Sequence, residues 1–327
     1  MALTTREISK QAKRLALRYR IDKGKGFRLK DFDPGDTAGL GDAYKEGAKE
    51  LLQRGVQRLA ELQEKLYAQD HWGVLLIFQA MDAAGKDSAI EHVMSGVNPQ
   101  GCSVTAFKQP SSEELDHDYL WRTTRALPAR GMIGIFNRSY YEEVLVVRVH
   151  PEILERQHLP KVCTGERVFE NRYEDIAGFE HYLDRNGIIV RKFFLNVSKG
   201  EQKRRFLARI DEPEKNWKFS VADVKERAHW SEYQDAYERA IRATAAPHAP
   251  WYVIPADNKW FTRLVVAAVI VETLEGLEVD FPVLDPTRRA ELETARALLA
   301  SGNGGAKPGK SGKRRKPRKA RKPQRDG

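Results

Sequence analysis

Cysteine is almost missing from this chain: Cys102 and Cys163 are the only two in 327 residues. Their spacing neither pairs them nor builds a metal motif, which excludes a disulfide scaffold and a cysteine metal site. Long apolar runs are missing too. The longest, residues 264–271, falls far short of the roughly 20 residues that a membrane helix needs. The basic N-terminus (Arg6, Lys10, Lys13, Arg14) lacks the apolar core and small-residue cleavage pattern of a signal peptide. A cytoplasmic protein with no membrane attachment is expected.

Excess charge is absent from most of the chain as well. The net charge is +10, from 56 Lys and Arg against 46 Asp and Glu. Residues 301–327 hold eleven of the basic residues and one acid, which leaves 45 of each sign before them. The charge therefore describes a tail, and a basic nucleic-acid-binding fold does not follow from it. That tail has almost no apolar residues and is expected to be disordered. It could hold polyanions in a salt-sensitive way or serve only as a solubilising extension.

What is present reads as a soluble globular protein, with 41% hydrophobic and 31% charged residues. Residues 1–40 form a partly ordered lead-in. Leu51, Leu52, Val56, Leu59, Leu62 and Leu66 then recur at helical steps within 41–69. The run Val74–Phe78 is continuously apolar, as in a strand buried on both faces. Further strands are expected at 103–107, 132–136, 188–197 and 251–254. Helices are expected at 86–97, 112–126, 166–185, 199–210, 221–243 and 258–276. This alternation predicts a parallel sheet covered by helices on both faces. Ser198 with Glu201 forms a candidate capping box. The expected organisation is a main domain over 41–285 with a lid at about 199–230, a short helix at 286–300, and the tail.

Three segments carry chemistry. The first is AMDAAGKDS, straight after the first strand. Strand, glycine turn, lysine and helix is the layout of a P-loop, in which backbone N–H groups of Ala83, Ala84 and Gly85 and the Lys86 ammonium receive phosphate oxygens. Ala80 and Asp87 depart from the usual G-x-x-x-x-G-K-[ST] pattern, and an ordinary strand-to-helix turn with a surface lysine is the alternative. Asp82 and Asp87 make sense in such a loop if a hard cation stands between them and phosphate. Asp87 would also suit the positive end of a helix dipole.

The second segment, GMIGIFNRSYYEEVLVVRVH, ends a strand in Asn137 and Arg138. Asn137 offers a neutral oxygen ligand, and Arg138 can grip a phosphate through two hydrogen bonds. A structural ion pair with Glu142 or Glu143 is the lesser alternative for Arg138. The third, residues 193–230, is dense in cations: Arg204, Arg205, Arg209, Lys215 and Lys218. One helical period separates Arg205 from Arg209, which suits a lid closing on a polyanion as well as a solvated mixed-charge face.

AMDAAGKDS, FNRSYYE, FFLNVSKGEQKRRF, DEPEKNWKFS and WYVIPADNKWFTR together resemble the second family of polyphosphate kinases, over about residues 27–282. The resemblance implies a thymidylate kinase-like P-loop fold: three α/β/α layers, a five-stranded parallel sheet and a helical lid. It implies reversible, magnesium-dependent (or manganese-dependent) transfer of the terminal phosphoryl group of inorganic polyphosphate to AMP, ADP or both, by a homodimer or homotetramer. The class acting on both nucleotides is most similar, although that class usually shows His where Tyr140 stands. Asp82, Lys86 and Arg138 are the implied catalytic residues. Asp82, Asp87, Asn137 and Glu143 are the implied metal side. Arg122, Arg148, Arg191, Arg209, Lys215 and Lys218 are the implied contacts to nucleotide or polyphosphate. The rivals are an ATP-dependent nucleoside monophosphate kinase and a nucleic-acid-binding protein acting through the tail.

Overall fold

The computed structural model of the chain describes residues 5–41 and 44–301, so all of the tail beyond Ser301 lies outside the described residues. The described residues up to Phe281 form one compact unit. Its strands are β1 (Arg20–Ile21), β2 (Gly73–Ala80), β3 (Cys102–Ala106), β4 (Ile133–Asn137), β5 (Ile188–Asn196) and β6 (Trp251–Pro255). They form a single sheet in the order β1-β6-β5-β2-β4-β3. Every pairing is parallel except β1 on β6. The expected five parallel strands are there, and the sixth, two residues long, is too short to leave any periodicity in the sequence.

The helices of eight or more residues are α1 (Thr5–Arg18), α2 (Lys45–Gln69), α3 (Lys86–Met94), α4 (Val168–Arg185), α5 (Lys199–Asp211), α6 (Trp230–Thr244), α7 (Lys259–Glu275) and α8 (Pro286–Ala300). Alternation along β2 sends Val74, Leu76 and Phe78 into one core, shared with α1, α2, α3 and α7. Leu75 and Ile77 enter the other, under α4 and α6. Helix α7 is apolar nearly all round because α1, α2 and the sheet enclose it. The lead-in is thus more regular than expected. Its helix α1 buries Ala12 and Ala16, small residues that leave little hydrophobic signal.

Two expected helices are broken. Residues 112–126 split into turns at Ser112–Leu115 and Trp121–Thr124, because Asp118 bonds the Leu120 N–H instead of continuing a helix. Residues 221–243 split into Val221–Glu226, a tight turn, and α6. Helix α8 belongs to a second unit that begins at Pro282, and is capped by Asp285.

Candidate active site

Ligands of open parallel sheets sit beyond the carboxyl ends of the strands. Here β2 is flanked by β4 and β5, and its carboxyl end runs into the loop 81–85. Ala83 and Gly85 take left-handed backbone, with φ of 58° and 102°. Glycine does so at no steric cost, whereas Ala83 stores strain of order 1 kcal/mol. The loop is pinned from behind. Arg205 on α5 donates to the carbonyls of Ala83 (3.0 Å) and Ala84 (2.7 Å), and to those of Ala256 and Asp257. Gln202 donates to the Asp82 carbonyl at 3.0 Å. Its carbonyls are turned back onto α5; the Ala84 N–H donates to the Met81 carbonyl at 3.2 Å, so of the expected phosphate-binding N–H groups those of Ala83 and Gly85 remain, beside the start of α3. Arg205 is therefore a clamp behind the loop and does not share the lid-facing side with Arg209.

The half-buried Lys86 donates to the Ala80 carbonyl at 3.1 Å, folding over the loop it closes. Burial, and then the neighbouring Arg138, push its pKa down, against Asp82, Glu142 and Asp87. An oxyanion between the two cations would relieve that repulsion. Arg138 ends β4 with φ of 66° and anchors its N–H on the Phe78 carbonyl at 3.0 Å. Its guanidinium reaches Asp82 and Glu142, each at only 3.4 Å, and is 41% exposed. Such long contacts leave it free to turn to a ligand. Glu142 was seen in the sequence only as a possible ion-pair partner. It is largely buried, and burial raises its pKa against the pull of Arg138 and Lys86. Gln79, oriented to donate to Glu142 at 3.0 Å, accepts from Ser139.

Asp82, Arg138 and Glu142 line a cavity of about 450 Å³, together with Arg122 and the segment 146–156. Arg122 spans from the Lys108 carbonyl (2.8 Å) to the Phe107 ring, which holds it against the wall. The lid residue Asp223 also lines this cavity and pairs with Arg209 at 3.6 Å. Asn137 donates to Asp87 at 2.6 Å. That bond holds the Asn137 amide against the Asp87 carboxylate.

Other expected residues are placed elsewhere. Arg191 pairs with Leu76 in the sheet, four residues before the Leu195–Ala80 pair at the strand end, so about 13 Å from the loop. It bonds Thr273 and the His248 carbonyl, and burial lowers its pKa. Arg148 stacks on Phe169 and lies outside the cavity lining. Glu143 forms a buried ion pair with Arg172 at 2.9 Å and accepts from Gln157 at 2.7 Å, so its carboxylate is committed to α4. The backbone path sends Arg191 and Arg148 away from the motif, whereas Glu143 still lines the cavity with its carboxylate held by Arg172. Lys215 pairs with Glu212, and Lys218 covers the Trp217 ring, both outside the cavity lining.

Lys259 and Arg263, at the start of α7, carry a signal the sequence analysis missed. The pKa of Lys259 is lowered by burial and then by Arg205, Lys215, Arg263 and Arg204, a field of one sign beside the loop. Arg263 reaches Ser88 on α3 at 2.7 Å. Their motif, NKWFTR, was visible in the sequence, yet nothing in it placed α7 beside α3.

Among the described residues no three His, Cys, Asp or Glu side chains cluster to hold a metal. Two carboxylates and an amide oxygen fit a magnesium ion that takes the rest of its shell from phosphate and water.

A family model described as Polyphosphate kinase 2 (PPK2) matches residues 42–282. An ADP-polyphosphate phosphotransferase of Rhodopseudomonas palustris is 56% identical over 256 residues, 78% of this chain and 89% of that one. An AMP/ADP-polyphosphate phosphotransferase of Meiothermus ruber is 45% identical over 265 residues, 81% and 95% of the two chains. The crystal structure of polyphosphate kinase 2 from Arthrobacter aurescens TC1 superposes with a TM-score of 0.78 at 42% identity, covering 88% of this chain and 96% of that one.

Proposed function

The chain belongs to the polyphosphate kinase 2 family, and from that premise we propose that it moves the terminal phosphoryl group of inorganic polyphosphate onto AMP and ADP, reversibly. The observation that carries the reading is a cavity of about 450 Å³ lined by Asp82, Arg122 and Arg138, beside the loop that Lys86 closes through the Ala80 carbonyl. The terminal phosphate of polyphosphate lies against the loop N–H groups and Lys86. The nucleotide fills the cavity with its phosphates toward Arg122 and Arg138. A terminal oxygen of the nucleotide forms the new P–O bond in line, as the bond to the next phosphate breaks and a chain one unit shorter leaves. That nucleophile is already ionised, so the protein's work is positioning and charge neutralisation.

Magnesium, or manganese in its place, would be held by Asp82 and Asp87 with the Asn137 oxygen, and supplies neutralisation of phosphate charge. Glu143 is left out of that set because Arg172 occupies it. Lys259, Arg263, Arg204 and Lys215 offer the path along which the rest of the polyphosphate chain runs. Arg209 acts from the lid through its contact to Asp223. Tyr140 is wholly buried and bonded to Glu180, so its departure from the dual-substrate class changes the support of the site and not the cavity wall. Family resemblance supports a homodimer or homotetramer. The free cysteines suit a cytoplasmic location, and among the described residues no helix is long and apolar enough to cross a membrane.

The test is transfer itself: purified protein, long-chain polyphosphate, magnesium and either AMP or ADP, with nucleotides resolved by chromatography. ADP and ATP arising from AMP are expected. Transfer from ATP to AMP without any from polyphosphate would overturn the reading.

A further inference from the structure

Beneath the loop that carries Arg138 lies a polar network that touches no part of the cavity. Lys192 is fully buried in the middle of β5, between Arg191 and the apolar run Phe193–Leu195. A buried ammonium persists only if it is paired and bonded. All three of its donors are used: Glu180 on α4 at 2.5 Å, the Thr244 carbonyl at the end of α6 at 2.7 Å, and the Tyr141 oxygen at 3.2 Å. The other Glu180 oxygen accepts from Tyr140 at 3.0 Å and from Tyr141 at 2.8 Å. Glu180 and both tyrosines are as deeply buried as Lys192.

Tyr140 and Tyr141 lie between Arg138 and Glu142 in the chain, and Ser139 accepts from the Tyr141 N–H at 3.1 Å. We propose that the Lys192–Glu180 pair, through the phenols of Tyr140 and Tyr141, is the device that positions Arg138 and Glu142 for phosphoryl transfer. None of the four meets a substrate, so they are positioning residues. Arg138 needs such a device. Its backbone is in the left-handed region without being glycine, and its guanidinium is held by two contacts of only 3.4 Å. A network satisfied at every donor and acceptor, and tied to three further elements, over-determines where the turn sits. Glu142 is seated by the same turn, so one rigid unit sets both walls of the phosphate site.

The inference rests on the reading of Arg138 as a group that grips the transferred phosphoryl, and a double-mutant cycle separates the two. Tyr141→Phe keeps the ring and its packing while removing the oxygen. Its kcat should fall about tenfold at saturating polyphosphate, with the KM for ADP within about twofold. In an Arg138→Ala background the same change should cost less than about twofold, because the group it positions is gone. Tyr140→Phe, which removes one of the two phenols at Glu180, should show the same non-additivity with a smaller loss. It serves in the cycle if Tyr141→Phe does not fold. A fall in thermal midpoint with activity per folded molecule unchanged would overturn the inference. So would losses that multiply in full with that of Arg138→Ala. Wild-type transfer by Arg138→Ala would overturn the reading of Arg138, and the inference with it.

Discussion

Lys86 carries a charge that its surroundings disfavour until an anion arrives. Burial lowers its pKa, and Arg138 lowers it further. Such preorganised cations, worth little in water, act strongly on a phosphoryl group in a shielded site. Lys86→Ala should lower kcat by about a hundredfold or more while the protein remains folded. Steady-state transfer from polyphosphate to ADP, read beside a denaturation curve, checks this. Near-normal transfer in a folded variant would remove Lys86 from the site. Glu143 makes the opposite case. Its buried pair with Arg172 is structural, and Glu143→Ala should cost about 3–5 kcal/mol of stability by stranding the arginine. The magnesium dependence of the residual activity should not change, and a rightward shift in the magnesium titration would return Glu143 to the metal.

At the scale of elements, the lid is fastened by few contacts. Glu226, at the end of the short helix Val221–Glu226, accepts from Tyr233 at 2.9 Å and meets His150 at 3.0 Å across the cavity mouth. Burial pushes the Glu226 carboxyl up, yet the bonds from His150 and Tyr233 outweigh it and hold the carboxyl below its ordinary value. A lowered carboxyl pKa means that this fastening is complete above the ordinary carboxylate range. It is lost as pH falls through the lowered value. Limited proteolysis within 213–229 should therefore accelerate on acidification below that range, and Glu226→Gln should be cut faster at neutral pH and respond less to acid. Equal cutting of both proteins at every pH would leave the fastening without a role.

For the whole molecule, charge is unevenly shared. The first 300 residues are neutral in sum, and the tail carries the net +10. Cutting the chain after residue 301 removes that charge and keeps every residue that lines the cavity. If the tail gathers polyphosphate, the KM for long chains should rise several-fold at low salt and its salt dependence should flatten, because each released counterion adds to the slope. An unchanged KM across a salt titration would leave the tail a solubilising extension. The catalytic unit has its own electrostatic path in Lys259 and Arg263, so transfer itself should persist.

The sequence by itself determined the five parallel strands, the loop with Lys86 and the strand ending in Asn137 and Arg138. Each is local: a doubly buried strand reads as an unbroken apolar run, and a P-loop is contiguous residues with fixed roles. Tertiary structure alone decided the rest. The half-formed capping box at Ser198 shows why. Ser198 does accept from the Glu201 N–H, but the Glu201 carboxylate turns to Arg204 and Arg205, and Arg205 is turned onto the phosphate loop more than 100 residues away in the chain. The resemblance implies site roles for Arg191, Arg148 and Glu143, yet strand register buries Arg191 along β5, Arg148 stacks on Phe169, and Arg172 holds the Glu143 carboxylate at the cavity wall. Lys192 looked like one more strand residue until α4, α6 and two tyrosines closed around it. Side-chain direction and long-range pairing depend on how elements cross, and no spacing along the chain encodes that.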